Sequence, residues 1–175
     1  MAKTYTAAGT VVAGEVYTAA AHNIIANDVN NLIVPPSVKV VRTSDTSYTS
    51  ATSITWQSVS SGNAAWDTDG MWAAGDPTKI TFNTSGIYSI VFQFFMSGTS
   101  LANCLSFVVA NNSTIFAEMD YTPPTTTQAL ATVSGIYNAA AADYIQARVQ
   151  YTGTGTMKGT TVPSYLSATW IGRTS

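Results

Sequence analysis

The chain contains 175 residues, of which 46% are hydrophobic and 9% are charged, and its formal net charge at pH 7 is −2. Soluble domains ordinarily carry about 25% charged residues. The hydrophobic content argues against intrinsic disorder, and the scarcity of Lys and Arg argues against a nucleic-acid partner, whose phosphates would need neutralising. The length is that of one domain, with solubility resting on Ser and Thr hydroxyls.

Residues 1–36 are the first predicted unit, an attachment segment with one short helix. Thr18 is a favourable N-cap for a helix over residues 19–32, and Pro35-Pro36 cannot continue that helix. The positions at heptad-like spacing on one face are His22, Ile25, Val29 and Leu32. A helix of this length is marginal alone. We therefore expect this assembly helix to pack against the following domain or against copies of itself, and we favour the copies.

From Ser37 onward the hydrophobic pattern has a period of two, which is typical of β-strands. The most strand-like segment is Ile87–Phe95, which follows the turn signal Asn83–Gly86. The other predicted strands contain Val38 and Val40, Ile54 and Trp56, Ile80 and Phe82, and residues 105–110, 115–119, 129–137, 144–151 and 165–171. Breaks are predicted at 111–112, 123–124, near 143, at 153–155 and at 163.

Short strands in this number, without helices between them, predict an all-β fold, an antiparallel sandwich or jelly roll over residues 37–175. The Gly-rich segment 153–159 has no following helix, so we expect a hairpin loop there and not a phosphate-binding loop. Trp56 and Trp170 alternate with polar neighbours, which predicts that they lie in the core or at a subunit interface.

Several segments occur in the order found in C1q/TNF-like jelly rolls. They are Pro77–Phe82, Gly86–Tyr88, Val108–Asn112, Ala142–Ile145 and Tyr165–Gly172. The chain resembles that family over residues 37–172, with Ala142 where the family usually has Gly and Ser167-Ala168 in place of Ser-Gly. The resemblance implies a homotrimer, since jelly rolls of this type commonly assemble as trimers.

The N-terminal run Val12–Ala20, followed by Asn27–Asn30, is similar to leaders of tailed-bacteriophage structural proteins. This resemblance implies a trimeric virion appendage: a fibre, spike or decoration on the tail tip, baseplate or capsid. Residues 1–36 would bind other virion proteins. The jelly roll would stabilise the particle, contact a glycan or protein of the host surface, or do both.

The sequence predicts neither secretion nor membrane insertion. Residues 1–10 lack the apolar core of a secretory signal. The longest apolar run, 87–96, is interrupted by polar residues and is too short for a membrane helix. We expect synthesis in the host cytoplasm, followed by incorporation into the virion.

Catalytic chemistry finds little support in the sequence. His22 is the single histidine, so a Ser-His-Asp or Cys-His site is not expected. Three copies of His22 on a trimer axis could bind a metal or respond to pH, although a surface or packed neutral histidine is favoured. Glu118 and Asp120 are expected on a solvated strand face and not as a glycosidase pair. Cys104, the single cysteine, is expected to be a buried, inert thiol.

Two weak binding candidates lie in the turn-rich stretch 62–76. Asp67 and Asp69 resemble the start of a Ca²⁺ loop, but the later glutamate of that motif is missing, so an ordinary turn is favoured. Trp66 and Trp72 could contact a sugar ligand, although packing in the core or between subunits is favoured. We expect no cofactor and no enzymatic activity. The alternative to a virion protein is a stand-alone, lectin-like carbohydrate-binding module.

Overall fold

The computed structural model describes residues 20, 22, 23, 26, 29, 33–48, 53–57, 66–123, 127–160 and 163–173. Within these residues the fold is built from antiparallel β-strands. Their bounds are β1 Ser37–Val41, β2 Thr46–Ser47, β3 Trp66–Asp67, β4 Ile80–Thr81, β5 Gly86–Ala110, β6 Thr114–Tyr121, β7 Gln128–Ala139, β8 Tyr144–Met157 and β9 Tyr165–Gly172. In this part of the chain, none of the helical residues belongs to a helix with the length and apolar character of a membrane span.

The long strand β5 belongs to both sheets of the sandwich. Its first half pairs with β7 and β9, and β9 pairs in turn with β1 and β1 with β3, which together form the first sheet. Its second half pairs with β6 and β8, and β8 also pairs with β2 and β4, which together form the second sheet. Register shifts after Thr99 and after Ala102, with positive φ at Ser100 and Asn103, bend β5 between the two sheets.

The core lies between the sheets and is strongly aromatic. Alternate residues of β5 are fully buried, including Tyr88, Phe92 and Phe94. Trp56 is 1% exposed and contacts Phe92 edge-on, with ring centroids 6.3 Å apart. Trp170 is 8% exposed and belongs to the same cluster. The sequence predicted the core or a subunit interface for these two tryptophans, and both lie in the core. Cys104 is also buried, as predicted.

The observed architecture confirms the predicted all-β, antiparallel jelly roll, and most predicted strands coincide with observed ones. The Asn111-Asn112 break is a turn in which both residues have positive φ, 48° and 59°. The helix predicted over 19–32 is described at Ala20, His22, Asn23, Ala26 and Val29, all of them helical, and its other residues lie outside the described part of the chain. The domain boundary after residue 36 stays a prediction.

The break predicted at 153–155, and with it the hairpin loop, is wrong. These residues lie inside β8, where Gly155 and Thr154 pair with Gly98 and Thr99 of β5. Glycine is required here because the two backbones approach closely. A Cβ on Gly98 would lie 1.9 Å from the Thr154 carbonyl oxygen. A Cβ on Gly153, where φ is +101°, would lie 2.4 Å from the Ser100 carbonyl oxygen.

Candidate functional site

The outward face of the first sheet is the largest candidate surface, and it is built by strict alternation. Along β5, residues that point away from the core are half-buried and separate the fully buried ones. The register places Phe95 beside Leu130 of β7, and Ser89 beside both Ile136 of β7 and Thr169 of β9. We call this surface the outer face. It consists of Lys39, Trp66, Ile87, Ser89, Val91, Gln93, Phe95, Leu130, Thr132, Ser134, Ile136, Tyr165, Ser167, Thr169 and Ile171.

Large apolar side chains of the outer face are open to solvent in one protomer. Leu130 is 56% exposed, Ile136 is 68% exposed and Ile171 is 53% exposed. Single exposed hydrophobic residues are common on protein surfaces, but a contiguous apolar patch marks an interaction site. Leu130 and Ile136 lie on β7 and Ile171 lies on β9, the two strands that flank β5 in the first sheet, so their side chains contribute to one face.

Lys39 is the single charged residue among the described strand positions of the outer face. Its ammonium lies 4.3 Å from the ring centroid of Tyr165 and 5.6 Å from that of Trp66. Both distances are within the range of cation–π attraction. The charge is thus held against aromatic rings, and the remainder of the face is neutral.

Two further exposed apolar side chains lie on β6, which pairs with β5 and forms an edge of the second sheet; the register places Met119 beside Ser106 and Ile115 beside Val109, on opposite sides of the strand. Ile115 is 49% exposed and Met119 is 39% exposed. The strand is anchored beside β7 by stacking of Phe116 on Tyr137, with ring centroids 5.0 Å apart and an interplanar angle of 31°. We call the exposed residues Ile115 and Met119 the β6 edge patch.

The Asp67 loop has the hydrogen bonds of an ordinary turn. One carboxylate oxygen of Asp67 accepts the backbone N–H groups of Asp69 and Met71, and the other accepts that of Trp72 at 2.9 Å. Asp69 is buried, and its Oδ2 accepts the hydroxyl of Thr84 at 2.9 Å. Three of the four carboxylate oxygens of Asp67 and Asp69 thus already accept hydrogen bonds, from three backbone N–H groups and one hydroxyl. A cation would need these oxygens as ligands. In the described ranges, no three His, Cys, Asp or Glu side chains form a group that could hold a metal ion.

Trp66 and Trp72 are placed differently. Trp66 lies on β3, is 40% exposed and belongs to the outer face. Trp72 packs against the core, and its indole N–H is 3.4 Å from the Pro77 carbonyl oxygen. Trp66 thus lies on the outer face and Trp72 against the core, and contact of either residue with a ligand stays a prediction.

The described residues of the assembly helix are consistent with an exposed stripe. His22 is exposed, and Val29 is 45% exposed. The side chains of Ile25 and Leu32 lie outside the described residues. Assembly through this helix, and a metal or pH response at His22, therefore stay predictions.

Of the carboxylates outside the Asp67 loop, Asp143 organises a turn. Asp143 accepts hydrogen bonds from Asn111 Nδ2 at 2.9 Å, from the Tyr137 hydroxyl at 3.0 Å and from the Ala140 N–H at 2.9 Å. The Asn111 hydrogen bond is the main reason why the pKa of Asp143 is lowered. Glu118 and Asp120 are exposed on β6. No arrangement among these described groups resembles a nucleophile with an adjacent base.

Two features were missed by sequence reasoning. The outer face was predicted only as strands, because alternation shows that two faces exist but not which neighbouring strands complete each face. The other feature is an open cleft where β5 passes from one sheet to the other, which depends on glycines that the sequence placed in a loop. The glycine spacing is a signal for close strand approach, but it is also typical of a turn.

Comparison with known proteins gives structural matches alone. No family model matches the sequence, and no curated protein sequence matches it. The globular domain of zebrafish complement 1qA protein is similar in structure, with a TM-score of 0.57 and 11% identity over 79% of this chain and 99% of that chain. Murine APRIL, in its crystal structure at pH 5.0, gives a TM-score of 0.60 and 13% identity over 78% of this chain and 98% of that chain. The chain therefore has the C1q/TNF-like jelly-roll fold that its sequence predicted.

Proposed function

We propose that this protein is a non-enzymatic structural component of a tailed-bacteriophage virion, assembled as a homotrimer. Residues 1–36 attach it to other virion proteins, and the jelly roll projects from the tail tip, baseplate or capsid as a fibre, spike or decoration. The observation that carries the trimeric assembly is the outer face, an uncharged sheet surface apart from Lys39, with Leu130 and Ile136 more than half exposed. The virion assignment rests on the resemblance of Val12–Ala20 and Asn27–Asn30 to leaders of tailed-bacteriophage structural proteins.

The outer face supports burial against another copy because desolvating it costs little. Burying apolar surface is favourable by about 25 cal/mol per Å², whereas burying an unpaired charge is costly. The exposed hydroxyls of Thr132 and Ser134 can form hydrogen bonds with a partner backbone. The one ammonium, on Lys39, already contacts two aromatic rings.

The β6 edge patch supports three-fold rather than two-fold assembly. A two-fold interface uses one self-complementary patch, whereas a cyclic trimer uses two different patches that meet head to tail. The chain offers two such surfaces, the outer face of the first sheet and the edge of the second sheet along β6, where Ile115 and Met119 are exposed. We propose that the outer face of one protomer contacts the β6 edge patch of the next.

The attachment role of residues 1–36 is tested by particle incorporation. A chain that lacks these residues should remain trimeric but should no longer be incorporated into virions, as measured by immunoblot and immunogold electron microscopy of purified particles. A truncated chain that is still incorporated would contradict the role of this segment. The stand-alone, lectin-like alternative predicts instead a monomer that binds sugar and is absent from particles.

A further inference from the structure

The point where β5 crosses between the sheets contains an open cleft of about 1020 Å³. This volume is at the upper end of the roughly 300–1,000 Å³ of small-molecule sites. Its walls come from the end of β2, the middle of β5, the start of β7 and the last part of β8. We call it the crossover cleft.

None of the described residues that line the crossover cleft is charged, and half of them are Ser or Thr. The strand register brings their hydroxyls to one face. Thr99 is paired with Thr154, their hydroxyl oxygens being 2.9 Å apart, and Ser47 is paired with Thr156 at 3.3 Å. Two residues along a strand span roughly 6.6 Å, so the hydroxyl pairs form two rows at about that spacing.

Two tyrosines also line the cleft and are held in place from behind; Tyr48 is half-buried, and Tyr151 is buried against the core. The Tyr48 hydroxyl accepts a hydrogen bond from Arg42 at 2.6 Å and another from the Thr55 N–H at 2.9 Å. The Tyr151 hydroxyl donates to the Tyr48 carbonyl, and its ring lies next to Gly155, where a Cβ would be 3.2 Å from the ring. The rings are therefore fixed before a ligand arrives, which reduces the entropy cost of binding.

This combination of groups selects the chemistry of the ligand. Neutral hydroxyl groups and the half-buried ring of Tyr48 match the hydroxyls and the C–H faces of sugar rings. An anionic ligand would meet no cation in the lining, and a protein partner would meet no large exposed aliphatic anchor there. We propose that the crossover cleft binds uncharged sugar residues of a polysaccharide. This inference rests on the proposed function, because sugar binding at the cleft would be the host-surface contact of the projecting domain.

Three copies of the cleft in a homotrimer would add avidity to a weak single-site interaction. Binding at one cleft does not depend on attachment to a particle. A failure of sugar binding can therefore be distinguished from a failure of the virion assignment.

The test uses the full chain and a panel of neutral oligosaccharides of glucose, mannose, galactose and N-acetylglucosamine, with hyaluronan as the anionic comparator. Isothermal titration calorimetry should detect at least one neutral oligosaccharide at millimolar or tighter Kd, and no binding of hyaluronan. The double variant Thr99→Val and Thr154→Val removes two hydroxyls at nearly constant volume and should weaken that binding at least tenfold.

The matched control is Thr152→Val, an exposed threonine of the same strand that does not line the cleft. It should bind as the wild type does, and all variants should keep the same mass and melting temperature. The proposal is overturned if no neutral oligosaccharide binds, if only hyaluronan binds, or if the double variant and the control bind equally well.

Discussion

Ala142 has a left-handed backbone conformation, with φ of 73°, in the exposed turn before β8. A residue with a Cβ is strained there by about 1 kcal/mol or more, and glycine is not. The conformation is enforced because the Ala142 N–H donates to the Phe82 carbonyl at 2.8 Å. The C1q/TNF-like pattern that the sequence resembles has glycine at this place, so the alanine has a physical cost.

We expect Ala142→Gly to stabilise the protein by roughly 0.5 kcal/mol, because relief of strain exceeds the added entropy of the unfolded chain. The melting temperature, measured by calorimetry, should rise by about 1–2 °C. Ala141→Gly is the control, because Ala141 lies in the same turn without positive φ, and it should not stabilise. A lower melting temperature for Ala142→Gly would show that the turn is not strained.

Asp45 holds the turn after β8 through its carboxylate. It contacts the ammonium of Lys158 at 2.5 Å and accepts the Gly159 N–H at 2.9 Å. These hydrogen bonds, that of Lys158 first, lower the pKa of Asp45 from 3.8 to about 2. Because the folded-state pKa is depressed, the stabilisation is present above pH 3.8 and is lost as the pH falls toward 2.

NMR titration of the side-chain carboxyl should therefore give a midpoint near 2 for Asp45. In Lys158→Gln the largest cause of the shift is absent, so the midpoint should move up toward 3.8. An unchanged midpoint in this variant would mean that the ion pair is not formed in solution.

At the scale of single strands, glycine placement decides where β5 and β8 can cross. A Cβ on Gly98 would meet backbone atoms of Thr154 and Gly155, which cannot move without breaking the pairing of β5 and β8. We expect Gly98→Ala to destabilise the protein by about 2 kcal/mol or more, within the usual cost of overpacking.

Urea unfolding monitored by tryptophan fluorescence would measure this loss. Gly75→Ala is the matched control, since a Cβ at Gly75 would have no heavy atom within 4 Å, and its effect should stay within about 0.5 kcal/mol. Equal stability of the two variants would contradict the close approach of β5 and β8.

The same strands show what a sequence can and cannot predict. The first part of β5 was predicted as the strand Ile87–Phe95, because β-branched and aromatic residues follow a turn signal there. The Asn111-Asn112 turn was predictable because asparagine tolerates positive φ. The path of β8 through Gly153 and Gly155 was not predictable from sequence. These glycines allow close approach to β5, which lies about 55 residues earlier in the chain.

The candidate sites follow the same rule. The hydrogen bonds of Asp67 are local, within five residues, and the turn was favoured from sequence. The outer face and the crossover cleft each require strands that are distant in sequence to lie side by side, which is tertiary information. Ile136 and Thr154 were therefore recognised as neither interface nor ligand candidates.

For the whole molecule, the decisive property is the exposed apolar area of the outer face. Ile136 is 68% exposed in one protomer, so Ile136→Lys should leave the folded protomer intact. In a trimer the same substitution would bury a charge at the proposed interface, at a cost of several kcal/mol. We expect the trimer to dissociate at micromolar concentration in sedimentation velocity.

Gln150→Lys makes the same charge change at an exposed position of β8 in the second sheet. This control should remain trimeric. If Ile136→Lys is also trimeric, the outer face is not the contact surface, even if the protein assembles by another route.

The most direct test of trimeric assembly is the mass of the wild-type chain in solution. Size-exclusion chromatography with multi-angle light scattering should give three times the 18.4 kDa of one chain, and the mass should stay constant on dilution to micromolar concentration. A single species of 18.4 kDa that stays soluble when concentrated would show that the outer face does not bind a second copy, and it would contradict the proposed trimer.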